Sequence, residues 1–376
     1  MYIYNNKILL PAVSKQHTYL KPNPRIDLLI CLPHTKNYQT HLKISRLVKN
    51  TILIHIYSVK MMEDLKLEKS FEAEGWIIRY GVFGEEAPTG GKTILFIHGT
   101  PWSSEVFKPL AKALLSLGGY RIVLYDLGGY GVSQQRSDTS EDEKKNKDEW
   151  IGGTSSLYLD LSQNPHLIPQ TDTSVRTQSL ILTTLFTTLH LSNPLVLAHD
   201  IAGSIALRAS LIHNLTYKSL LLLDTNAILP WGDGFYTLVR TTPSPFLALP
   251  PPIFDAMLRA VIRSATVKPI PRQLEDALAR PWTGEGGQRA FVRQIAQASD
   301  EDVREMMHLY GELGCTVKIL WGDGDTWIPG EKVEKLAGML GGKCEGVGVV
   351  EGAGHLVMVD APERVAMEVL EWVRRS

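Results

Sequence analysis

From residue 76 onward, short apolar runs alternate with stretches in which apolar residues recur every three or four positions. The runs have the length of buried strands, and the periodic stretches have the spacing of amphipathic helices. The strand pattern covers residues 76–84, 92–99, 120–126, 194–200, 219–224, 316–325 and 346–355, and the helical pattern covers 103–118, 174–191, 202–213 and 363–376. This alternation predicts an α/β fold with a mostly parallel, doubly wound sheet.

The strand pattern disappears between about residues 229 and 311. Short segments with helical spacing replace it, and they are separated by proline-rich stretches such as PSPFLALPPPIF. An all-helical insertion inside an α/β domain predicts a lid. Residues 134–172 also break the alternation, but they are rich in charged residues, Asn and Gly, which is typical of a long solvated surface loop.

Residues 1–60 show no sustained period and carry nine Lys or Arg against one acid, Asp27. Three explanations stay open: a basic organelle-targeting leader, a loosely ordered extension, or an upstream stretch wrongly joined to the coding sequence. Lysine dominates and three prolines interrupt the first half, which disfavours the amphipathic, Arg-rich and Ser-rich helix of a transit peptide. We expect a single α/β domain over residues 61–376, after this extension.

Charge and cysteine usage narrow the class of protein. The formal net charge is −1, and residues 61–376 hold 30 bases against 39 acids, so no basic surface for nucleic acid is indicated. The three cysteines, Cys31, Cys315 and Cys344, lie far apart and suggest neither a disulfide framework nor a zinc site. No apolar stretch reaches the roughly 20 residues that cross a bilayer. We therefore expect a cytoplasmic protein, unless the basic extension is a leader, with a small-molecule substrate; the oligomeric state stays open.

The carboxyl ends of four predicted strands carry unusual residues. In a doubly wound parallel sheet these ends form the binding site. They carry His98-Gly99-Thr100-Pro101, Asp200, Asp325 and His355. A charge directly after a buried run such as PLVLAH is unusual, because burying a carboxylate is costly unless the position is functional.

Over about residues 70–376 the chain resembles the α/β-hydrolase fold, in which a nucleophile elbow is followed along the chain by an acid and a histidine. The motifs HDIAG (199–203), HGTP (98–101) and DLGGYGVS (126–133) are similar to those of its aspartate-nucleophile branch. That branch contains haloalkane dehalogenases, fluoroacetate dehalogenases and epoxide hydrolases. The elbow needs small neighbours, and the nearest hydroxyl, Ser204, lies inside the following helix.

The resemblance implies a catalytic role for each motif residue. Asp200 would be the nucleophile, His355 the general base and Asp325 the acid that orients it. The backbone N–H groups of Thr100 and Ile201 would form the oxyanion hole. No metal and no cofactor is expected.

Other interpretations of the acidic residues stay open. Asp224 or Asp323 could replace Asp325 as the acid, and Asp200 could act only as a helix N-cap. We expect His98 to hold the oxyanion loop by hydrogen bonds, and His199 to point away from the pocket.

The substrate is less constrained than the mechanism. Ile201 stands where haloalkane dehalogenases generally place a halide-binding Trp, whereas Tyr236 and Tyr310 are candidates to protonate an epoxide. Trp102 and Trp231 are further candidates for the pocket. We therefore expect a hydrolase with a covalent alkyl-aspartate intermediate and an epoxide substrate. A dehalogenase with a substituted halide site is the alternative, and a lyase, cyclase or ligand-binding relative is the alternative of another class.

Overall fold

The computed structural model describes residues 65–84, 92–134, 172–232 and 234–376, together with the backbone of two short antiparallel strands, Tyr2–Tyr4 and Lys7–Leu9. The chain divides into two units, residues 1–51 and 52–376. The two short strands belong to the first unit, and the elements below belong to the second. The predicted extension, apart from these strands, and the interior of the predicted 134–172 loop lie outside the described residues.

Eight strands form one sheet in the second unit. They are β1 (Lys69–Ala73), β2 (Trp76–Phe83), β3 (Lys92–Ile97), β4 (Tyr120–Tyr125), β5 (Leu195–His199), β6 (Ser219–Leu223), β7 (Thr316–Gly322) and β8 (Cys344–Val350). Their order across the sheet is β8-β7-β6-β5-β3-β4-β2-β1. Strand β2 runs antiparallel to β1 and β4, and the other neighbours are parallel, so the predicted mostly parallel sheet is confirmed.

The helices lie between and after these strands. They are α1 (Lys108–Leu117), α2 (Val175–Thr188), α3 (Ile201–Leu211), α4 (Gly234–Thr241), α5 (Pro243–Leu247), α6 (Pro251–Ser264), α7 (Arg272–Thr283), α8 (Gly287–Ala296), α9 (Glu301–Met307), α10 (Gly330–Leu340), α11 (Val357–Asp360) and α12 (Pro362–Arg375). Helix α1 contacts α12, and α2 contacts α3, so two groups of helices flank the sheet.

The central strands β5 and β6 are the most completely buried strands among the described residues. Every residue of β5 and β6 is buried, because parallel strands are covered on both faces. Helix α12 contributes to that cover, since the indole N–H of Trp372 donates to the hydroxyl of Ser219 at 2.8 Å. The C-terminal helix therefore packs on the sheet, as its apolar spacing predicts.

The pattern of apolar residues did not predict strand β1 or helix α10, nor the short helix α11. Strand β1 has only Ala73 fully buried, so its sequence KSFEA lacks the alternation of a half-buried strand. Helix α10 buries Val333, Leu336 and Leu340 but is otherwise rich in Gly, Lys and Glu. In both cases the contacts with the neighbouring strands stabilise an element whose local pattern is weak.

Helices α4 to α9 occupy the segment between β6 and β7 for which the sequence predicts a lid. Two buried side chains of this helical insertion reach the loop after β3. The indole N–H of Trp282 donates to the Pro101 carbonyl at 2.9 Å, and Gln294 accepts a hydrogen bond from the hydroxyl of Thr100. The insertion thereby contacts the edge of the sheet where the unusual strand ends meet.

Candidate active site

The nucleophile position lies in a strained turn between β5 and α3. Asp200 has φ 56° and ψ −128°, a backbone conformation that L-residues rarely adopt. Backbone hydrogen bonds hold it there: its N–H donates to the Leu223 carbonyl at 3.1 Å, and its carbonyl accepts from Gly203 and Asn226 at 3.0 and 3.1 Å. This geometry points the side chain out of the end of the sheet, as a nucleophile elbow requires.

Two glycines leave room for the turn. A Cβ on Gly99 would lie 2.4 Å from the Cβ of Asp200, and a Cβ on Gly203 would lie 2.2 Å from Cγ2 of Thr225. Real Cβ atoms do not approach other atoms so closely. The elbow therefore depends on the absence of side chains at both positions.

The Asp200 carboxylate lies against the two backbone donors that the sequence predicts for the oxyanion hole. The Thr100 N–H donates to Oδ2 at 2.8 Å, and the neighbouring Ile201 N–H lowers the pKa of the carboxyl. Asp200 makes no side-chain cap hydrogen bond to helix α3. The interpretation of Asp200 as a helix N-cap therefore has no support in the geometry.

His355 lies against the other oxygen of this carboxylate. Its Nε2 is 3.7 Å from Asp200 Oδ1, and its Nδ1 donates to Asp325 Oδ2 at 2.9 Å. Asp325 Oδ1 in turn accepts from the N–H groups of Trp327 and Ile328 at 2.7 and 3.1 Å. The three buried side chains expected to form a triad are thus in one chain of contacts, with Nε2 facing Asp200.

The two rival acids have other surroundings. Asp323 is exposed, and its Oδ1 accepts from the Gly352 N–H at 2.7 Å, so it braces the loop before His355. Asp224 is fully buried and accepts from the Gly322 N–H at 2.8 Å. Burial and repulsion by Asp325 raise the pKa of Asp224 well above its ordinary value. Asp325 Oδ2 contacts His355 Nδ1 at 2.9 Å and Asp224 does not, so the geometry favours Asp325 as the acid.

The charge states of Asp200 and His355 depend on each other. Burial raises the pKa of Asp200, and the His355 charge and the two backbone N–H groups oppose that rise. Burial alone would lower the pKa of His355, but Asp325 and, to a smaller extent, Asp200 raise it above its ordinary value. Loss of the negative charge on Asp200 would therefore lower the pKa of His355.

The two other histidines at the strand ends are structural. His98 Nδ1 donates to the Gly99 carbonyl at 2.9 Å, and its Nε2 accepts from the Leu127 N–H at 3.0 Å. His199 Nε2 donates to the carbonyl of His355 at 2.8 Å, and the two rings are 4.7 Å apart. His98 thus braces the oxyanion loop, and His199 holds the backbone of the residue expected to be the base.

A cavity opens beside Asp200. Its empty volume is about 600 Å³, which includes the solvent-open space at its mouth. It is lined by Thr100, Asp200, Ile201, Asn226, Trp231, Gly232, Tyr236, Arg240, Gln294, Ile295, Ala298, Trp327 and Ile328. Most of these residues come from the helical insertion or from the segment before it. Within the described part of the chain, no group of three His, Cys, Asp or Glu side chains is placed to hold a metal ion.

The aromatic candidates differ in their positions. Tyr236 and Trp231 line the cavity, as the sequence predicts. Tyr310 does not, because its hydroxyl donates to the Ala227 carbonyl at 2.8 Å in the core; its expected role as a proton donor is therefore wrong. Trp102 is also outside the lining and stacks on Trp327, with ring centroids 5.7 Å apart.

Several cavity residues were not foreseen from the sequence, and Trp327 and Gln294 are the two with the closest contacts to predicted site residues. Trp327 stacks on the His355 ring, with centroids 4.6 Å apart and an interplanar angle of 23°. The position of Trp327, two residues after the predicted acid Asp325, could have identified it as a site residue from the sequence. Gln294 lies on the buried face of α8, and glutamine on a helix carries no such signal.

Comparisons with known proteins show the family to which this fold belongs. Residues 94–369 match the model of the alpha/beta hydrolase family. A solved alpha/beta hydrolase fold protein from Burkholderia ambifaria is 31% identical, with a TM-score of 0.68, and the match covers 82% of this chain and 98% of that one. The chain therefore belongs to the alpha/beta hydrolase family.

Two more distant structures share the fold alone. An esterase from Exiguobacterium antarcticum is 19% identical with a TM-score of 0.61, and the match covers 81% of this chain and 99% of that one. A bromoperoxidase from Bacillus anthracis is 15% identical with a TM-score of 0.60, covering 81% and 100%. No curated protein matches the chain closely enough to count as a relative. Among the described residues, no helix is both long and apolar enough to span a membrane.

Replacing Gly203 with alanine should lower the free energy of unfolding by about 1–3 kcal/mol, because the added methyl group overpacks the elbow against Thr225. Urea denaturation measures the change. Gly338→Ala in α10 is the matched control, since no atom lies within 4 Å of a Cβ at that position. It should be neutral or stabilising by up to about 1 kcal/mol. An equal loss in both variants would contradict the steric explanation.

Asparagine substitution should distinguish the two buried acids. Asp325→Asn should abolish the low-field proton resonance of the His355 Nδ1–H group, because the charged acceptor of that proton is lost. Asp224→Asn should retain the resonance, because the Nδ1 proton is bound by Asp325 and the raised pKa of Asp224 favours its neutral form. Proton NMR of protein with ¹⁵N-labelled histidine makes the measurement. Loss of the signal in Asp224→Asn with retention in Asp325→Asn would reverse the assignment.

Proposed function

We propose that this protein hydrolyses an epoxide through a covalent ester on Asp200. The observation that carries the proposal is the environment of the Asp200 carboxylate. Thr100 N–H binds one of its oxygens at 2.8 Å, and His355 Nε2 lies 3.7 Å from the other. A carboxylate at a nucleophile elbow suits attack on an sp³ carbon, because its alkyl ester can then be hydrolysed.

In the first step, Oδ1 of Asp200 attacks a ring carbon of the epoxide. A new C–O bond forms, the ring C–O bond breaks, and the electron pair moves to the ring oxygen. Tyr236 lines the cavity and donates a proton to that oxygen. Tyr236 lies edge-on to Trp327, with centroids 5.4 Å apart, and Trp327 separates it from His355. The product is a hydroxyalkyl ester, and the Tyr236 phenolate recovers its proton from water.

In the second step, His355 takes a proton from a water molecule that attacks Cγ of the ester. The negative charge develops on Oδ2, which already accepts the Thr100 N–H. When this intermediate collapses, the C–O bond to the alkyl group breaks, and the leaving alkoxide takes the proton back from His355 and departs as the diol. The carboxyl group of Asp200, which now contains an oxygen atom from water, loses its proton to solvent and regenerates the carboxylate. Alkylation has removed the charge on Asp200, which lowers the pKa of His355, so a larger fraction of His355 is neutral and able to accept a proton at this stage.

A serine esterase mechanism has less support. Ser204 is fully buried in α3, and its hydroxyl donates to the Asn226 carbonyl at 2.7 Å. Attack by Asp200 on a carboxylic ester would give a mixed anhydride, which is a poorer route. The esterase named among the similar structures is distant in sequence, and its similarity to this chain shows a shared fold alone.

Dehalogenation of a haloalkane is the second candidate function. It is favoured by the indole N–H of Trp231 on the cavity wall, where it could bind a halide. The residue after the nucleophile, Ile201, offers no side-chain donor for that purpose. The epoxide assignment is preferred because Tyr236 supplies a proton for the leaving oxygen, which a halide does not need.

Replacing His355 with glutamine should trap the ester, because the second step loses its base while Asp200 can still attack. Intact-mass spectrometry after brief incubation with styrene oxide should show protein heavier by one molecule of epoxide, and peptide mapping should place the adduct on Asp200. The same incubation with 1-bromobutane tests dehalogenation, which would add a butyl group. The variant Asp200→Asn is the control and should give no adduct. Full turnover of an unrelated substrate without any adduct would contradict the covalent mechanism and favour a lyase, cyclase or other relative.

Formation of the ester should depend on pH through Asp200, which must be ionised to attack. Burial raises the pKa of Asp200 above its ordinary value of 3.8, so the rate of ester formation should fall as the pH drops through this raised pKa. His355 lowers the pKa of Asp200, and His355→Gln should therefore move this acid limb to higher pH. Rapid-quench single-turnover rates across pH measure the acid limb in the wild-type protein and in His355→Gln. An acid limb that does not move in His355→Gln would argue against the coupling.

A further inference from the structure

The orientation of the Gln294 side chain on the cavity wall is determined by two hydroxyl groups. Its Oε1 accepts hydrogen bonds from the Tyr130 hydroxyl, at 3.0 Å, and from the Thr100 hydroxyl. A carbonyl oxygen can accept from two donors, whereas the amide nitrogen can only donate. The –NH₂ group of Gln294 therefore points away from both hydroxyls.

Two buried donors of the cavity wall have no acceptor among the described residues. They are Nε2 of Gln294 and Nε1 of Trp231, and both side chains are more than nine-tenths buried. Buried N–H groups without an acceptor are rare in proteins because each costs free energy. Both residues line the cavity above Asp200, so a molecule bound in that cavity can supply the acceptors that the described residues lack.

The charges around the cavity favour a neutral acceptor over an anion. Among the described lining residues, Asp200 and Arg240 are the charged ones, and Arg240 is already paired with Asp300 at 3.0 Å. Gln294 is linked to Asp200 through a single residue, because the Thr100 hydroxyl bonds to Gln294 and the Thr100 N–H bonds to Asp200. A carboxylate bound at Gln294 would be repelled by the Asp200 carboxylate at short range.

We propose that Gln294 binds a neutral carbonyl oxygen that the substrate carries next to its reacting ring, so that the substrate class is a carbonyl-substituted epoxide. This inference rests on the function proposed above. Gln294 is then a specificity-determining residue. It donates a hydrogen bond to the carbonyl substituent, whereas Tyr236 donates a proton to the leaving ring oxygen. The Trp231 indole N–H is a second unpartnered donor in the lining of the same cavity.

A pair of matched epoxides tests the inference. Glycidamide carries a carboxamide on the ring, and isopropyloxirane carries an isopropyl group of the same shape without an acceptor. The wild-type protein should prefer glycidamide in kcat/KM. Gln294→Met removes the donors at similar side-chain length and should lower the glycidamide to isopropyloxirane ratio roughly tenfold, about the effect of losing one hydrogen bond to a buried group. A difference in intrinsic reactivity between the two epoxides affects the wild-type protein and Gln294→Met equally, so it cancels when their ratios are compared.

Two further variants control for structure. Tyr130→Phe removes one hydroxyl that orients the amide but keeps the Gln294 donors, so the ratio should stay near the wild-type value. Gln294→Glu keeps acceptor oxygens for Thr100 and Tyr130 and loses the donors, so it provides the same test if Gln294→Met does not fold. Thermal unfolding identifies a folded variant.

The outcomes separate this inference from the proposed function. Adducts on Asp200 in His355→Gln with both epoxides, together with a lowered ratio in Gln294→Met, support both proposals. Adducts with both epoxides but an unchanged ratio, or an equal loss for both substrates, would overturn the role of Gln294 and leave the epoxide mechanism standing. Absence of an adduct with either epoxide, or with styrene oxide, would overturn the proposed function and this inference with it.

Discussion

The turn that holds Asp200 is the constraint on which the rest of the site depends. A positive φ at a non-glycine residue is unfavourable, and it persists only where surrounding contacts impose it. Here the contacts come from β6, through the Leu223 carbonyl, and from two glycines that allow neighbouring chains to approach. The elbow is therefore a product of the whole sheet edge, and in return it directs one carboxylate into the cavity.

Burial gives this carboxylate its chemical character. Water would solvate an exposed aspartate well, whereas Asp200 is held by two N–H groups and an imidazole. The charge on Asp200 favours the protonated form of His355, and the charge on His355 favours ionised Asp200. A reaction that neutralises one partner changes the proton affinity of the other. The pair therefore suits a two-step reaction in which the nucleophile acts first and the base acts second.

The helical insertion does more than line part of the cavity. Trp282 bonds to the Pro101 carbonyl, and Gln294 bonds to the Thr100 hydroxyl, so the insertion is tied to the loop whose Thr100 N–H binds the Asp200 carboxylate. Part of the cavity wall and this backbone donor are consequently parts of one hydrogen-bonded unit. A change in the insertion can reach the Thr100 N–H through these contacts, without touching the triad.

The amino-acid sequence alone determined strands β2 to β8 and the order of Asp200, Asp325 and His355 along the chain. Buried parallel strands appear as apolar runs, and residues that follow such runs collect at one edge of the sheet. The tertiary structure decided which acid contacts His355, that Tyr310 bonds within the core, and that Gln294 lies beside Thr100. These outcomes depend on distances between segments far apart in the chain, and local patterns of polarity carry no information about such distances.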